Sequence, residues 1–237
     1  MSTSFKFKQF TINQERCAMK IGTDGVLLGA WSSINHNPFS ILDIGAGTGV
    51  VSLMLAQRSF AELIDAIEID DDTYEQCAEN FENSPWNDRL FCYHASLDQF
   101  TQEIDDKYDL IVSNPPFYSE DYKSKNTQRD MARFQDALPF INLLESVSKL
   151  LTETGIFSVI IPFKEEAKFL KIAEESGLFV KRLTKVKGNP DSDIKRSLIE
   201  FSFMKKDFII DELIIETDRH QYTEEYISLT KDFYLKM

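Results

Sequence analysis

The chain is expected to be an α/β protein: a doubly wound, mostly parallel seven-stranded sheet with one antiparallel edge strand, plus a small N-terminal hairpin and helix unit. Three observations predict it. From Ile41 onward, short apolar runs alternate with amphipathic stretches, the pattern of strand and helix units that cover both faces of a parallel sheet. Gly45, Gly47 and Gly49 stand between the first of these strands and its helix, where a tight turn is needed. "SNPPFY" (113–118) ends a later strand with two prolines, neither of which has an amide hydrogen for a ladder.

Taken in order, "FKFKQFTI" alternates like a strand, and "GTDGVLLGAW" reads as a short helix capped by Thr23 or Asp24. "SINHNPFS" is a linker, so residues 1–34 form an N-terminal unit packing at the ligand site and 35–237 the main domain. Ile41 to Ile44 is a strand and Val50 to Arg58 a helix; 63–69 is a second strand, followed by a helix capped by Asp70 or Asp71. "RLFCYH" and "YDLIVS" are the third and fourth strands, followed by a helix from about Phe140 to Leu151 and the strand "GIFSVIIP". Lys164 to Ser176 is helical and Gly177 stops it. "LFVKRLTKVKG" and "RSLIEFSFM" then come as two strands with no helix between, which requires one antiparallel strand, placed at the edge. The tail "YTEEYISLTKDFYLK" is one last amphipathic helix.

Composition narrows the class. With 237 residues, 43% hydrophobic and 12% aromatic, the chain can fill a sizeable core, and no run approaches the roughly 18 apolar residues of a membrane span. Cys17, Cys77 and Cys92 are odd in number, widely spaced and without a CxxC, which suggests neither disulfides nor a metal site and places the chain in the reducing cytoplasm. A monomer without metal is expected. The net charge of −13 speaks against a nucleic-acid partner only weakly, because charges beyond a Debye length of about 8 Å are screened. Between Lys181 and Lys206 there are eight basic residues against three acidic ones, either a binding face or solvated strand edges. Lys123, Lys125, Arg129 and Arg133 form a second cluster directly after the proline motif; Arg129 and Arg133 share a face if the segment is helical.

The glycine loop is followed by Glu68 and Ile69 at the end of the second strand. A carboxylate there can accept hydrogen bonds from both hydroxyls of a ribose, so loop and acid together point to an adenosine-bearing cofactor. The spacing is GxGxG, not the GxGxxG of a dinucleotide site, and Asp43 precedes it. An acid at that point repels a pyrophosphate but can attract, through water, the amino group of a methionine. That charge argument, with the proline motif, favours S-adenosyl-L-methionine over a nicotinamide dinucleotide as the expected cofactor.

With "LDIGAGTG" and "SNPPFY" the chain resembles the seven-strand S-adenosylmethionine-dependent methyltransferases. "FKFKQFTI", "CAMKIGTDGVLLGAW", "LMLAQR", "AIEID", "SPW", "SNPPF" and "RDMARF" resemble, over residues 5 to about 162, the family that methylates N6 of adenine 37 in a valine tRNA. That resemblance implies the anticodon loop of tRNA as partner. It implies Thr23 and Asp24 at the methionine end of the cofactor, and Ala95 and Ser96 near its adenine, although Ser96 stands where the family pattern has an Asp. Lys20 is a phosphate contact or an exposed lysine; Arg129 and Arg133 are expected on the tRNA backbone.

In such enzymes the Asn114 side-chain oxygen and the Pro115 carbonyl accept hydrogen bonds from the target amine, with Pro116 stiffening the turn. The chemistry agrees, because an adenine amine is a poor nucleophile whose lone pair is delocalised into the ring. Two acceptors favour a pyramidal nitrogen and aim its lone pair at the methyl group. Phe117 would stack on the extruded base. Release-factor glutamine N5-methylation, ribosomal RNA guanine N2-methylation and a non-catalytic RNA-binding module are the alternative readings.

Overall fold

The computed structural model describes residues 4–116 and 139–237. Two short N-terminal strands, β1 (Ser4–Lys6) and β2 (Thr11–Asn13), precede α1 (Thr23–Trp31). The alternating part follows as β3 (Ser40–Ile44), α2 (Val50–Arg58), β4 (Leu63–Glu68), α3 (Asp71–Glu82), β5 (Leu90–His94), α4 (Leu97–Glu103) and β6 (Tyr108–Ser113). It continues with α5 (Phe140–Leu150), β7 (Leu151–Pro162), α6 (Glu166–Glu175), β8 (Phe179–Lys187), β9 (Ile194–Ser202) and β10 (Ile209–Ile214). A ribbon of β11 (Glu216–Asp218) and β12 (Gln221–Tyr222) leads into α7 (Glu224–Thr230).

Among the described residues the main sheet has eight strands in the order β10-β8-β9-β7-β6-β3-β4-β5. This corrects the expected seven strands and the place of the antiparallel one. β9 runs antiparallel to both β7 and β8 and lies between them, while the edge is β10, parallel to β8. The sequence hides β10 because it is buried only at Leu213 and carries Asp211 and Glu212 in its middle. It therefore lacks the apolar run that marks the central strands.

Both faces are covered. One core joins α1, α2 and α3 to the sheet through Val26, Leu27, Leu53, Met54, Cys77 and Phe81, and takes in Phe7, Phe10 and Ile12 of the N-terminal segment. The other packs α4, α5 and α6 through Phe100, Leu143, Leu144, Val147 and Phe169. Gly29 lets α1 lie close on α2: a Cβ there would sit 2.9 Å from Met54. Phe10 meets Trp86 edge-on at 5.9 Å, so the tryptophan of "SPW" packs against the N-terminal segment.

Capping differs in part from expectation. Asp70 caps α3, accepting from the Thr73 N–H at 2.9 Å. On α1 the N-cap is Gly22 and no side chain caps it; Thr23 and Asp24 lie inside the first turn. At the C-terminus, α7 ends at Thr230, and the Phe233 carbonyl accepts from the Lys8 N–H at 2.8 Å. The tail therefore folds back onto the N-terminal segment instead of continuing as a longer helix.

A buried carboxylate ties α1 to the sheet. Glu200 on β9 is 1% exposed and accepts from the Ser33 N–H at 2.7 Å, the Ser33 hydroxyl at 3.0 Å and the Arg182 guanidinium at 3.3 Å. Arg182 lies over the Trp31 ring at 3.7 Å and donates to the Trp31 carbonyl at 2.6 Å. Glu200 is buried but the Arg182 side chain is 30% exposed, so removing the carboxylate leaves a partly solvated guanidinium and unpaired Ser33 donors, at a cost of about 1–3 kcal/mol. Glu200→Ala should lower the urea unfolding free energy by that amount, and a loss under 1 kcal/mol would show that the network contributes little.

Candidate active site

The carboxyl ends of β3, β4 and β6 converge. Ile44 and Ser113 pair in parallel register, so Gly45 and Asn114 leave the sheet side by side. The Ser113 hydroxyl donates to the Ile44 carbonyl at 2.9 Å and fastens the two strand ends together. Asn114 and Pro116 are half-buried and Pro115 is buried. Phe117, Lys123, Lys125, Arg129 and Arg133 lie outside the described residues.

The glycine loop is held by its neighbours. Gly45, Gly47 and Gly49 have φ of 73°, 57° and 78°, the left-handed region that glycine occupies without strain. The Gly45 and Ala46 N–H groups donate to the Ile67 carbonyl at 3.0 and 3.1 Å. At Gly49 a Cβ would lie 2.6 Å from the Phe81 ring, whereas at Gly45 and Gly47 it would meet no atom within 4 Å. The loop is thus packed on one flank and open on the other, as a cradle for a ligand must be.

Glu68 faces this cradle. Its Oε2 accepts from the Gly47 N–H at 2.9 Å, and its Oε1 from the Ile69 and Asp70 N–H groups at 2.9 and 3.0 Å. A carboxylate offers about four acceptor positions. Holding both hydroxyls of a ribose therefore requires Glu68 to exchange at least one backbone donor for a hydroxyl. Ile69 is 53% exposed beside it. The Ala95 N–H donates to the Glu68 carbonyl at 3.1 Å, which brings the β5 end to the same place. Ser96 caps α4 in a reciprocal box with Gln99, so its side chain has a local task.

Asp43 is 1% exposed and accepts through Oδ2 from the Ser52 N–H at 3.2 Å and the Ser52 hydroxyl at 2.7 Å. Burial pushes its pKa up to about 6, opposed by the two Ser52 hydrogen bonds and assisted by the Glu68 charge. Asp24 pairs with Arg196 of β9 at 2.8 Å. Lys20 is exposed, with its ammonium on the Gln14 carbonyl. Sequence reasoning missed Ser52, Ser113 and Arg196. A serine in the first turn of α2 and another at the end of an apolar strand resemble ordinary surface residues until the tertiary structure buries them.

The basic residues 181–206 do not form one free face. Arg182, Lys187, Arg196 and Lys205 have carboxylate partners, and Lys185 lies over the Phe163 ring at 5.5 Å. Among the described residues no three His, Cys, Asp or Glu side chains converge as a metal site would require. No helix among them is long and apolar enough to cross a membrane.

A mostly parallel sheet, a glycine loop after one strand, an acid closing the next and Asn-Pro-Pro after a neighbouring strand define a class I S-adenosylmethionine-dependent methyltransferase. Comparison supports the fold: a predicted O-methyltransferase from Agrobacterium tumefaciens superposes with a TM-score of 0.71 at 18% identity, over 89% of this chain and 96% of that one. The profile of the methyltransferase small domain matches residues 26–161. Proteins named tRNA1(Val) (adenine(37)-N6)-methyltransferase are 64% identical in Flavobacterium johnsoniae and 63% in Flavobacterium psychrophilum, over 98% of this chain and 100% of each relative. The chain belongs to the methyltransferase small domain family and, within it, to the tRNA1(Val) (adenine(37)-N6)-methyltransferases.

Asp43 gives a test of the site's electrostatics. An acid whose folded pKa lies above its usual 3.8 binds its proton more tightly when folded. Its contribution to stability therefore falls as pH rises from 3.8 to about 6, and is level above that. Asp43→Asn should be more stable than wild type to urea at pH 7, by on the order of 3 kcal/mol, with the gap closing towards pH 4. A gap independent of pH would contradict the buried acid.

Proposed function

We infer that the chain transfers a methyl group from S-adenosylmethionine to the exocyclic N6 amine of adenine 37 in a valine tRNA. The observation that carries this is the register of β3 and β6, which sets the Asn114 turn beside the glycine loop. The names of the relatives supply the tRNA and the position.

When bound, the cofactor supplies an electrophilic methyl on a sulfonium. The residues of the chain do the rest by holding and aiming. Gly45, Gly47 and Gly49 let the ligand approach the backbone, and Glu68, with Ile69 beside it, takes the ribose. Asp43, through water, and Thr23 with Asp24 border the methionine end, while Ala95 and Ser96 flank the adenine. Asn114 and the Pro115 carbonyl accept the two amine hydrogens of the target, so its nitrogen becomes pyramidal and its lone pair points outward. Pro116 stiffens the turn, and the proton leaves to water after the methyl has moved.

Residues 1–34 serve as one wall of the cofactor site and 35–237 as the methyltransferase domain. Phe117 stacks on the base, while Lys20, Lys123, Lys125, Arg129 and Arg133 meet phosphates. An anticodon-loop adenine is already unpaired, so extruding it costs less than opening a duplex. The enzyme works as a monomer without metal, and its free thiols Cys17, Cys77 and Cys92 suit the reducing cytoplasm.

The test uses purified protein, labelled cofactor and tRNA, with mass spectrometry of the methylated nucleoside. Wild type should place N6-methyladenosine at position 37 of the valine tRNA. Asn114→Ala should bind S-adenosylhomocysteine nearly as wild type by calorimetry while transfer falls by about two to three orders of magnitude. Unimpaired turnover, or lost cofactor binding, would remove Asn114 from the amine.

A further inference from the structure

Asn80 lies on α3 and is 1% exposed. Its Oδ1 accepts from the Asn13 N–H at 2.8 Å, and its Nδ2 donates to the Asn13 carbonyl at 2.9 Å and to the Thr48 carbonyl at 3.0 Å. Asn13 ends β2, and Thr48 is in the glycine loop. One carboxamide therefore holds two segments that are far apart in sequence, using both its donors and one of its acceptor positions. A carboxylate would keep the acceptor and lose both donors, and a methyl group would leave the part-buried Asn13 N–H and carbonyl and the buried Thr48 carbonyl without this partner.

The rest of α3 has the same division. Cys77 and Phe81 abut Gly49 of the loop. Gln76, one turn before Asn80, accepts from the Arg16 N–H at 3.5 Å, and the Arg16 side chain pairs with Glu75 at 2.9 Å and with Glu79. Beyond Asn13 the segment closes on itself, because Gln14 Oε1 accepts from the Ile21 N–H at 2.9 Å. It carries Cys17, only 4% exposed, to the neighbourhood of Glu68 and Asp70, whose charges act on the thiol.

We infer that Asn80 is a positioning residue that locks segment 13–22 to the glycine loop, so that the two walls of the adenosine cleft form together. This rests on the cofactor reading above. The segment then acts as a fixed wall whose place depends on the loop, and binding at one is coupled to order at the other.

Cys17 supplies a readout that needs no activity. Burial pushes its thiol up to about 11, against the opposing pull of Lys20, and the Glu68 and Asp70 charges add to the rise. Detaching the segment would expose the thiol and return it towards its ordinary value. Alkylation of Cys17 by iodoacetamide, mapped by mass spectrometry, should therefore be at least about tenfold faster in Asn80→Ala and in the isosteric Asn80→Asp than in wild type. S-adenosylhomocysteine should bind both variants at least about tenfold more weakly by calorimetry. It should slow Cys17 alkylation in wild type more than in either variant, and the kinetic loss should fall on the cofactor KM rather than on kcat. Asn80→Asp keeps the side-chain volume, so it serves if the alanine variant unfolds. A folded variant with wild-type Cys17 alkylation, or with wild-type S-adenosylhomocysteine affinity, would overturn the assignment. Failure of the wild type to bind S-adenosylhomocysteine would instead count against the cofactor reading, while the alkylation rates without ligand still decide on Asn80.

Discussion

The Glu68 carboxylate is the contact on which the ligand edge depends. In the glycine loop, Ile67 of β4 takes the Gly45 and Ala46 amides and leaves the Gly47 amide to another partner. Glu68 answers Gly47 in that loop and, on its other oxygen, Ile69 and Asp70 at the start of the next turn. The same residue therefore shapes the loop and begins the approach to α3, and in the proposed function it also takes the ribose. Asp70 continues the chain of dependence by capping α3, and α3 in turn presses Phe81 against Gly49. A shift of any of these would move the floor of the cleft.

The second constraint is the join between β3 and β6. Ser113 and Ile44 share a register position and a hydrogen bond, and their successors, Gly45 and Asn114, are the first residues of the two functional turns. Methyl transfer needs donor and acceptor atoms within van der Waals reach and in line. The parallel ladder fixes the exit points of both turns relative to each other, which is what the proposed site needs. The buried Glu200 and its partner Arg182 do the corresponding task for α1, holding it to β8 and β9 on the other half of the sheet.

Much of this was legible in the sequence because it rests on local rules. Glycine spacing, the double proline after β6 and the Asp70 cap each act within a few residues of their position, and the acid that ends β4 is read from its spacing to the glycine loop. β10 was not legible, because Asp211 and Glu212 in its middle mask a strand buried mainly at Leu213. The antiparallel strand was recognised but misplaced: nothing in "RSLIEFSFM" says whether β8 or β10 will take the outer position. The α1 cap failed because the helix starts earlier, with Gly22 as N-cap, and Asp24 in its first turn pairs instead with Arg196, 172 residues away in sequence. Asn80 escaped for a similar reason: a single carboxamide between Cys77 and Phe81 resembles a solvated helix residue until Asn13 and Thr48 close over it.

The most direct test is a calorimetric titration of S-adenosylhomocysteine into wild-type and Glu68→Ala proteins, each first shown to be folded. Glu68 as the ribose ligand requires the variant to bind at least about tenfold more weakly, since charge-assisted hydrogen bonds are worth on the order of 1.5–3 kcal/mol each. Equal dissociation constants for the two proteins would place the ribose elsewhere and contradict the site described at the carboxyl ends of β3, β4 and β6.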